Sequence, residues 1–89
     1  MISGTVTIIN KLGLHARAAA KLVAVSSKYP CNIRIGLKSH MVDAKSIMAV
    51  MLLAASQGKV LHLIADGEEA ETAFQELVHL INQRFGESD

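Results

Sequence analysis

The stretch VLHLIADGEEAETAFQELVHLI, residues 60–81, decides the fold class because it contains a strand and a helix joined by one turn. Its first part, Val60–Ala65, is apolar on both alternating faces, which is typical of a central strand. Asp66-Gly67 is a turn signal. Beyond the turn, apolar residues recur with helical spacing: Ala70, Ala73, Phe74, Leu77, Val78 and Ile81. A central strand followed by an amphipathic helix predicts a sheet that is covered by helices.

The rest of the sequence predicts the other strands of this sheet and the other helices that pack on it. Strands are predicted where apolar and polar residues alternate, over residues 2–8 and 32–37, and a short third strand, residues 40–43, is predicted to pair with the second across Lys38 and Ser39. An alanine-rich helix is predicted over residues 16–27, ending before Pro30, and a short helix runs from a cap at Ser46 through Leu53. The element order is therefore β-α-β-β-α-β-α. We expect an α+β open-faced sandwich, in which a four-stranded antiparallel sheet is covered on one face by three helices.

Length and composition restrict the classes of function. The chain of 89 residues forms one domain, residues 1–89, and is too short to enclose a deep active site, so any chemistry should lie at the surface. A hydrophobic fraction of 51% argues against disorder. A net charge of +1 and only three aromatic residues argue against nucleic-acid binding.

Cysteine usage and the apolar runs bear on the cellular compartment. Cys31 is the only cysteine, so no intrachain disulfide can form, which fits a reducing environment. Residues 1–7 lack a signal-peptide pattern, and the longest apolar run, residues 47–55, is too short to span a bilayer. We therefore expect a cytoplasmic protein without membrane insertion. No histidine, cysteine or carboxylate spacing suggests a metal site, and we expect neither a metal nor a cofactor.

The segment NKLGLHARAA, residues 10–19, carries the chemically informative residues. His15 lies where a glycine-containing loop meets a predicted helix start, and a neutral imidazole is a competent nucleophile near pH 7. Free N–H groups in a first helical turn favour anions, and Arg17 can donate two parallel hydrogen bonds to a phosphate. These features suit the acceptor half of a phosphoryl-transfer site. From the residues alone, a capping or solvated histidine and a solvated arginine remain the alternative.

At these residues the sequence resembles the HPr family, the histidine-containing phosphocarriers of the bacterial phosphotransferase system. The matching motifs are Gly13–Arg17 and Ser46–Met48, and the resemblance covers nearly the whole chain. It implies that His15 is phosphorylated, on Nδ1, by phospho-enzyme I at the expense of phosphoenolpyruvate, and that Arg17 steadies the phosphoryl group. It also implies transfer to EIIA-type acceptors, so that the chain is a carrier and not an enzyme. The family usually has proline where this chain has Ala18, a change that alters first-turn rigidity and removes no phosphate ligand.

Two hypotheses concern Ser46. As an N-cap it would contribute about 1 kcal/mol, which by itself explains a serine at this position. In some branches of the family the matching serine is phosphorylated by an ATP-dependent HPr kinase/phosphorylase, which lowers phosphate acceptance at the histidine. A phosphate at a helix start is electrostatically tolerable, so it would act by obstructing partners.

The resemblance also implies a partner-binding surface around the two motifs. Its candidate residues are Ala16, Ala20, Lys21, Ile47, Met48 and Met51. Methionine suits a surface that must adapt to several partners. The alternative for the apolar members is core packing, above all for Ile47 and its neighbour Val50.

Two other functions are compatible with the same predicted fold. A nitrogen-related regulatory branch is suggested by the lead-in at residues 10–13 and by residues 82–86, whereas the Ser46 region favours a kinase-regulated member. An interaction module without phosphotransfer is a further alternative, although retention of both His15 and Arg17 argues against it. We expect a monomer in each case.

Overall fold

All seven predicted helices and strands are present, in the predicted order, in the computed structural model, which describes residues 1–88. The elements are β1 (Ile2–Thr7), α1 (Ala16–Ser26), β2 (Asn32–Leu37), β3 (His40–Asp43), α2 (Ile47–Leu52), β4 (Val60–Asp66), α3 (Ala70–Asn82) and an unpredicted 3-10 turn, α4 (Arg84–Gly86). Helix α1 ends at Ser26, one residue before its predicted end. The predicted α+β open-faced sandwich is confirmed.

The four strands form one antiparallel sheet in the order β1-β4-β2-β3. Strand β4 is interior, as its apolar sequence predicts, and it pairs Leu63 with Gly4 of β1 on one side and with Ile35 of β2 on the other. Because side chains alternate along a strand, Leu61, Leu63 and Ala65 all point to the same face and are buried there. Strands β4 and β2 are therefore the two central strands of the sheet, and β1 and β3 are its edge strands.

The helices bury one stripe each against this face of the sheet. Helix α1 contributes Ala18, Ala19 and Leu22, α2 contributes Val50, and α3 contributes Ala73, Leu77 and Ile81, all fully buried. Burying one leucine side chain stabilises the fold by roughly 1.5–3 kcal/mol, so these few residues hold each short helix in place. The opposite face of the sheet carries Ser3, Thr5 and Thr7, which are exposed.

The segment after α3 is anchored to the core, which fixes the chain near its carboxyl end. Phe85 is fully buried in spite of a left-handed backbone with φ 55°. Lys21 of α1 donates a 2.6 Å hydrogen bond from Nζ to the Phe85 carbonyl oxygen. The Glu87 N–H donates to the Arg84 carbonyl at 2.9 Å. Residues 84–87 are thereby held beside the beginning of α1.

The loop between β1 and α1 is fixed by hydrogen bonds at both ends. The Ile8 N–H donates to the Lys59 carbonyl, and the Leu14 N–H donates to the Ala55 carbonyl, both at 2.9 Å. Gly13 has a φ of 70°, and a Cβ atom at this position would lie 2.5 Å from the Ala55 carbonyl oxygen. Only glycine fits this close approach, which sets the direction in which the chain enters α1.

Candidate phosphoryl-acceptor site

His15 is the N-cap residue of α1, with an extended backbone of φ −73° and ψ 177°. Its carbonyl oxygen accepts the first helical hydrogen bond, from the Ala19 N–H at 2.8 Å. Its imidazole does not cap the helix, and the first turn contains no acidic residue. Among residues 1–88, no side chain accepts a hydrogen bond from the N–H groups of this first turn, and their partial positive charge favours an anion beside His15.

The imidazole of His15 contacts a carboxylate that no sequence motif predicts. Nε2 of His15 forms a hydrogen bond with Oε2 of Glu87, 72 positions further along the chain. The other carboxylate oxygen, Oε1, accepts a 3.0 Å hydrogen bond from Nδ2 of the fully buried Asn10. The His15 and Glu87 side chains are 25% and 13% exposed, so the pair lies at the surface but is partly shielded from water.

Hydrogen bonds from Asn10 and then from His15 lower the pKa of Glu87 below the ordinary value for glutamate. The charges of His15 and Arg17 act in the same direction, whereas burial opposes them. Glu87 is therefore ionised at neutral pH, and a carboxylate can only accept a hydrogen bond. The hydrogen between the two side chains must accordingly belong to Nε2. Within residues 1–88, Nδ1 of His15 has no hydrogen-bond partner.

Arg17 lies in the first turn of α1 with its side chain exposed. It lines an open cleft of about 540 Å³, whose walls are Lys11, Leu12, Arg17, Lys21, Gly86, Glu87 and Ser88. Three cations and one carboxylate give this cleft a net positive charge that suits a dianionic group. Over the described part of the chain, the Arg17 guanidinium forms no hydrogen bond or ion pair, so its donors face the cleft or solvent.

Ser46 is the N-cap of α2, which confirms its predicted structural role. Its Oγ accepts a 3.3 Å hydrogen bond from the Ala49 N–H. Lys45, immediately before it, donates from Nζ to the Tyr29 carbonyl at 2.6 Å and so ties this helix start to the segment after α1. Helices α1 and α2 pack against each other, so Ser46 and His15 lie at the starts of neighbouring helices.

The candidate docking residues divide between the same two helices. Ala16, Ala20 and Lys21 are exposed on α1, and Ile47, Met48 and Met51 are exposed on α2. The core alternative is correct for Val50, which is fully buried, and wrong for Ile47, which is 42% exposed because the short helix can bury only one stripe. Two further exposed apolar residues beside these motifs, Leu12 and Leu52, were not predicted. A single leucine in a loop carries no periodic signal, and the continuous apolar run that contains Leu52 does not show which of its side chains are buried.

A family model described as "PTS HPr component phosphorylation site" matches residues 2–83. The chain belongs to the HPr family. The match covers nearly all of the chain, including both the His15 and the Ser46 segments.

Similar proteins agree with this assignment. A phosphocarrier protein HPr from Pseudomonas aeruginosa is 58% identical over 85 residues, 94% of each chain. A phosphocarrier protein NPr from Shewanella violacea is 36% identical over 83 residues, 93% of this chain and 91% of its own. Among solved structures, an HPr from Thermoanaerobacter tengcongensis superposes over 100% of both chains with a TM-score of 0.95 and 45% identity. An HPr dimer from the same organism has a TM-score of 0.78 and 46% identity, covering 98% of this chain and 100% of that one.

Residues 1–88 of this HPr-family chain offer neither a membrane span nor a metal cluster. No helix among them has the length and apolar character required to cross a membrane. They also contain no group of three or more His, Cys, Asp or Glu side chains arranged to hold a metal ion.

Proposed function

We propose that the chain accepts a phosphoryl group on Nδ1 of His15 from phospho-enzyme I and passes it to an EIIA-type acceptor in the cytoplasm. It then acts as a carrier with a phosphohistidine intermediate and not as an enzyme with its own turnover. The observation that carries this proposal is the placement of His15 at an uncapped helix start, with Nε2 engaged by Glu87 and Nδ1 free of hydrogen bonds to residues 1–88.

The residues at the start of α1 suit the acceptor role in a phosphoryl transfer. The lone pair on Nδ1 attacks phosphorus while the bond between phosphorus and the donor breaks, so one P–N bond forms as the donor bond is lost. The first-turn N–H groups of α1 and the Arg17 guanidinium offset the charge on the phosphoryl oxygens. No cofactor is required, because transfer of a phosphoryl group calls for positioning and charge stabilisation more than for covalent help from the carrier.

Both partners would dock on the exposed face shared by α1 and α2. Met48 at 69% and Leu52 at 75% exposure are large apolar groups that a monomer has no folding reason to expose. Ala16, Ala20, Lys21, Ile47 and Met51 are the other exposed residues of the two helices that we assign to this surface. A donor and an acceptor can use the same surface in turn, and the flexible methionine side chains let it adapt to each.

The test is labelling from phosphoenolpyruvate and enzyme I, comparing the wild type with His15→Ala and, as a matched control, His79→Ala, since His79 is exposed on α3. We expect acid-labile, alkali-stable label in the wild type and the control and none in His15→Ala. Label retained by His15→Ala would exclude His15. A wild type that takes no label from any enzyme I would favour an interaction module of the same fold.

Phosphorylation of Ser46 by an HPr kinase/phosphorylase would regulate the same surface. Ser46 begins α2, so a phosphate there is tolerated by the helix and adds negative charge beside the apolar docking face. We expect Ser46→Asp, which keeps a capping side chain, to slow transfer from enzyme I at least several-fold, and Ser46→Ala to cost about 1 kcal/mol of stability without slowing transfer. Equal transfer rates in both variants and the wild type would leave Ser46 with its cap role alone.

The NPr relative supports a second candidate, a nitrogen-related regulatory phosphocarrier, although its identity to this chain is lower, 36% against 58%. Initial rates with purified enzyme I of each type separate the two, since the cognate donor should transfer faster.

We propose that the carrier is a monomer, and light scattering after gel filtration tests this directly. A mass of twice 9.5 kDa would show that the chain pairs like the dimeric relative.

A further inference from the structure

We propose that Glu87 and Asn10 are positioning residues that set the tautomer of His15, keeping the proton on Nε2 and the lone pair on Nδ1. This inference rests on the proposed function, because it concerns how His15 is prepared to accept the phosphoryl group. Neither residue belongs to the two motifs that carry the family resemblance. The sequence separation of 72 residues between His15 and Glu87 conceals their relationship.

The orientation of the Asn10 side chain is determined by its neighbours. Nδ2 donates to the Gly13 carbonyl at 2.8 Å and to Oε1 of Glu87 at 3.0 Å. Both partners are acceptors, so the amide cannot be reversed without placing Oδ1 against two oxygen atoms. Oδ1 itself is buried without a partner among the described residues, which shows that this side chain is held by what Nδ2 binds. Asn10 therefore always presents a donor to Glu87.

The Glu87 side chain is likewise held in one place. Phe85, two residues earlier, is fully buried, and the Glu87 N–H is bonded to the Arg84 carbonyl at 2.9 Å. With Oε1 occupied by Asn10, Oε2 is the oxygen that faces His15. The hydrogen bond made by one ring nitrogen of a histidine decides which nitrogen carries the proton. The carboxylate thus selects the form whose unprotonated nitrogen is Nδ1.

This arrangement assists both the transfer of the phosphoryl group to His15 and its transfer away from His15. When Nδ1 bonds to phosphorus, positive charge develops on the ring, and the Glu87 carboxylate offsets it while the proton stays on Nε2. When the P–Nδ1 bond breaks in the next transfer, the electron pair returns to Nδ1 and the ring leaves as a neutral imidazole. Without a proton on Nε2 the leaving group would be an imidazole anion, which leaves far less readily.

The decisive variant is Glu87→Gln, because Asn10 dictates how the new amide lies. The Asn10 donor attracts the glutamine oxygen, which turns the glutamine NH₂ group toward Nε2 of His15. That group donates and stabilises the tautomer with the proton on Nδ1, which blocks the attacking nitrogen. We expect transfer from enzyme I to slow by roughly ten- to a hundredfold, by analogy with the loss of a residue that orients a metal-ligating histidine through its second ring nitrogen.

Glu87→Ala removes both hydrogen bonds and imposes neither tautomer, so its rate should fall between those of the wild type and Glu87→Gln. A role in packing alone predicts the opposite order, since glutamine keeps the shape of glutamate and alanine does not. Glu68→Gln, an equal change of charge on an exposed residue before α3, is the matched control and should leave the rate unchanged.

The ring ¹⁵N chemical shifts of His15 in the unphosphorylated protein give a readout that needs no phosphotransfer. We expect a protonated Nε2 in the wild type and in Glu68→Gln, and a shift of population to protonated Nδ1 in Glu87→Gln. A wild-type ring protonated on Nδ1, or a Glu87→Gln variant that transfers as fast as the wild type, would overturn the inference. A wild type with the expected tautomer that accepts no phosphoryl group would instead overturn the proposed function.

Discussion

At the scale of the residue, the site combines side chains whose roles the sequence indicates with one whose role only the folded structure reveals. His15 and Arg17 lie two positions apart at a helix start, a local pattern that suits an anion site but becomes a prediction only together with the family resemblance. Glu87 gives no such signal, because an acidic residue near the end of a chain is ordinarily solvated. Only the fold, by burying Phe85, brings its carboxylate to the imidazole.

Arg17 provides the sharpest test of phosphate stabilisation. Its guanidinium lines the cleft without a partner in residues 1–88, so Arg17→Ala should slow transfer about tenfold or more while changing stability by only about 0.5 kcal/mol, as for other exposed positions. Arg17→Lys should restore part of the rate, since lysine keeps the charge and loses the two parallel hydrogen bonds. Arg34→Ala is the control, because Arg34 is exposed on β2. Stopped transfer accompanied by unfolding in Arg17→Ala would point to a structural role instead.

The ionisation of Glu76 makes a second prediction at this scale. Hydrogen bonds from Lys28 and then Tyr29 lower the pKa of Glu76 below its ordinary value of 4.5. Its stabilising contribution is therefore present above pH 4.5 and is lost as the pH falls through the lower folded-state pKa. Denaturation of Glu76→Gln should show a deficit below about 1 kcal/mol at neutral pH that disappears in acid, because the pair is largely exposed. A deficit that does not vary with pH would exclude this ion pair as its cause; Glu68→Gln is the control.

At the scale of the element, the sequence predicts most of what the structure contains. The bounds of β3, His40–Asp43, coincide with the predicted ones, and α3 extends only one residue past Ile81. These elements are visible because periodicity and turn residues are local properties of the chain. The 3-10 turn at residues 84–86 escaped prediction because Arg84 and Phe85 adopt positive φ angles that neither residue type favours by itself. Tertiary burial of Phe85 imposes that conformation.

The loop that leads into α1 yields a prediction through its glycine. Gly13→Ala places a methyl group 2.5 Å from the Ala55 carbonyl oxygen at a φ of 70°, so either the loop or residue 55 must move. We expect a loss of about 2–4 kcal/mol in the free energy of unfolding, from clash added to backbone strain, and slower transfer because His15 is displaced. Gly58→Ala is the matched control. Its φ is 91° but a Cβ atom there meets nothing within 4 Å, so it should lose only about 1 kcal/mol. Equal losses would show that strain alone acts at Gly13.

At the scale of the whole molecule, the structure has two surfaces of different character. One is the polar cleft formed by the start of α1 and the chain after α3, and the other is the apolar face shared by α1 and α2. The chain of 89 residues is too short to enclose a deep active site, so under the proposed function two surfaces would share the work: the cleft would hold the phosphoryl group, and the apolar face would bind the partner that completes the site. The sequence predicts the second surface only through family resemblance, because exposure of an apolar residue depends on which stripe of a helix the sheet covers.

A substitution at Met48 tests whether the apolar face binds partners while the cleft binds the phosphoryl group. It is 69% exposed on α2, so Met48→Glu should leave the free energy of unfolding within about 0.5 kcal/mol of the wild type. A charge in the apolar face should weaken docking, so we expect the KM for phosphorylation by enzyme I to rise about tenfold, with little change in the maximal rate, since the cleft around His15 is untouched.

Val60→Glu is the matched control, because Val60 is 51% exposed on the uncovered face of the sheet. If both variants raise the KM equally, bulk charge and not a docking face accounts for the effect. If only the maximal rate falls in Met48→Glu, α2 acts on the chemistry at His15 and not on partner binding.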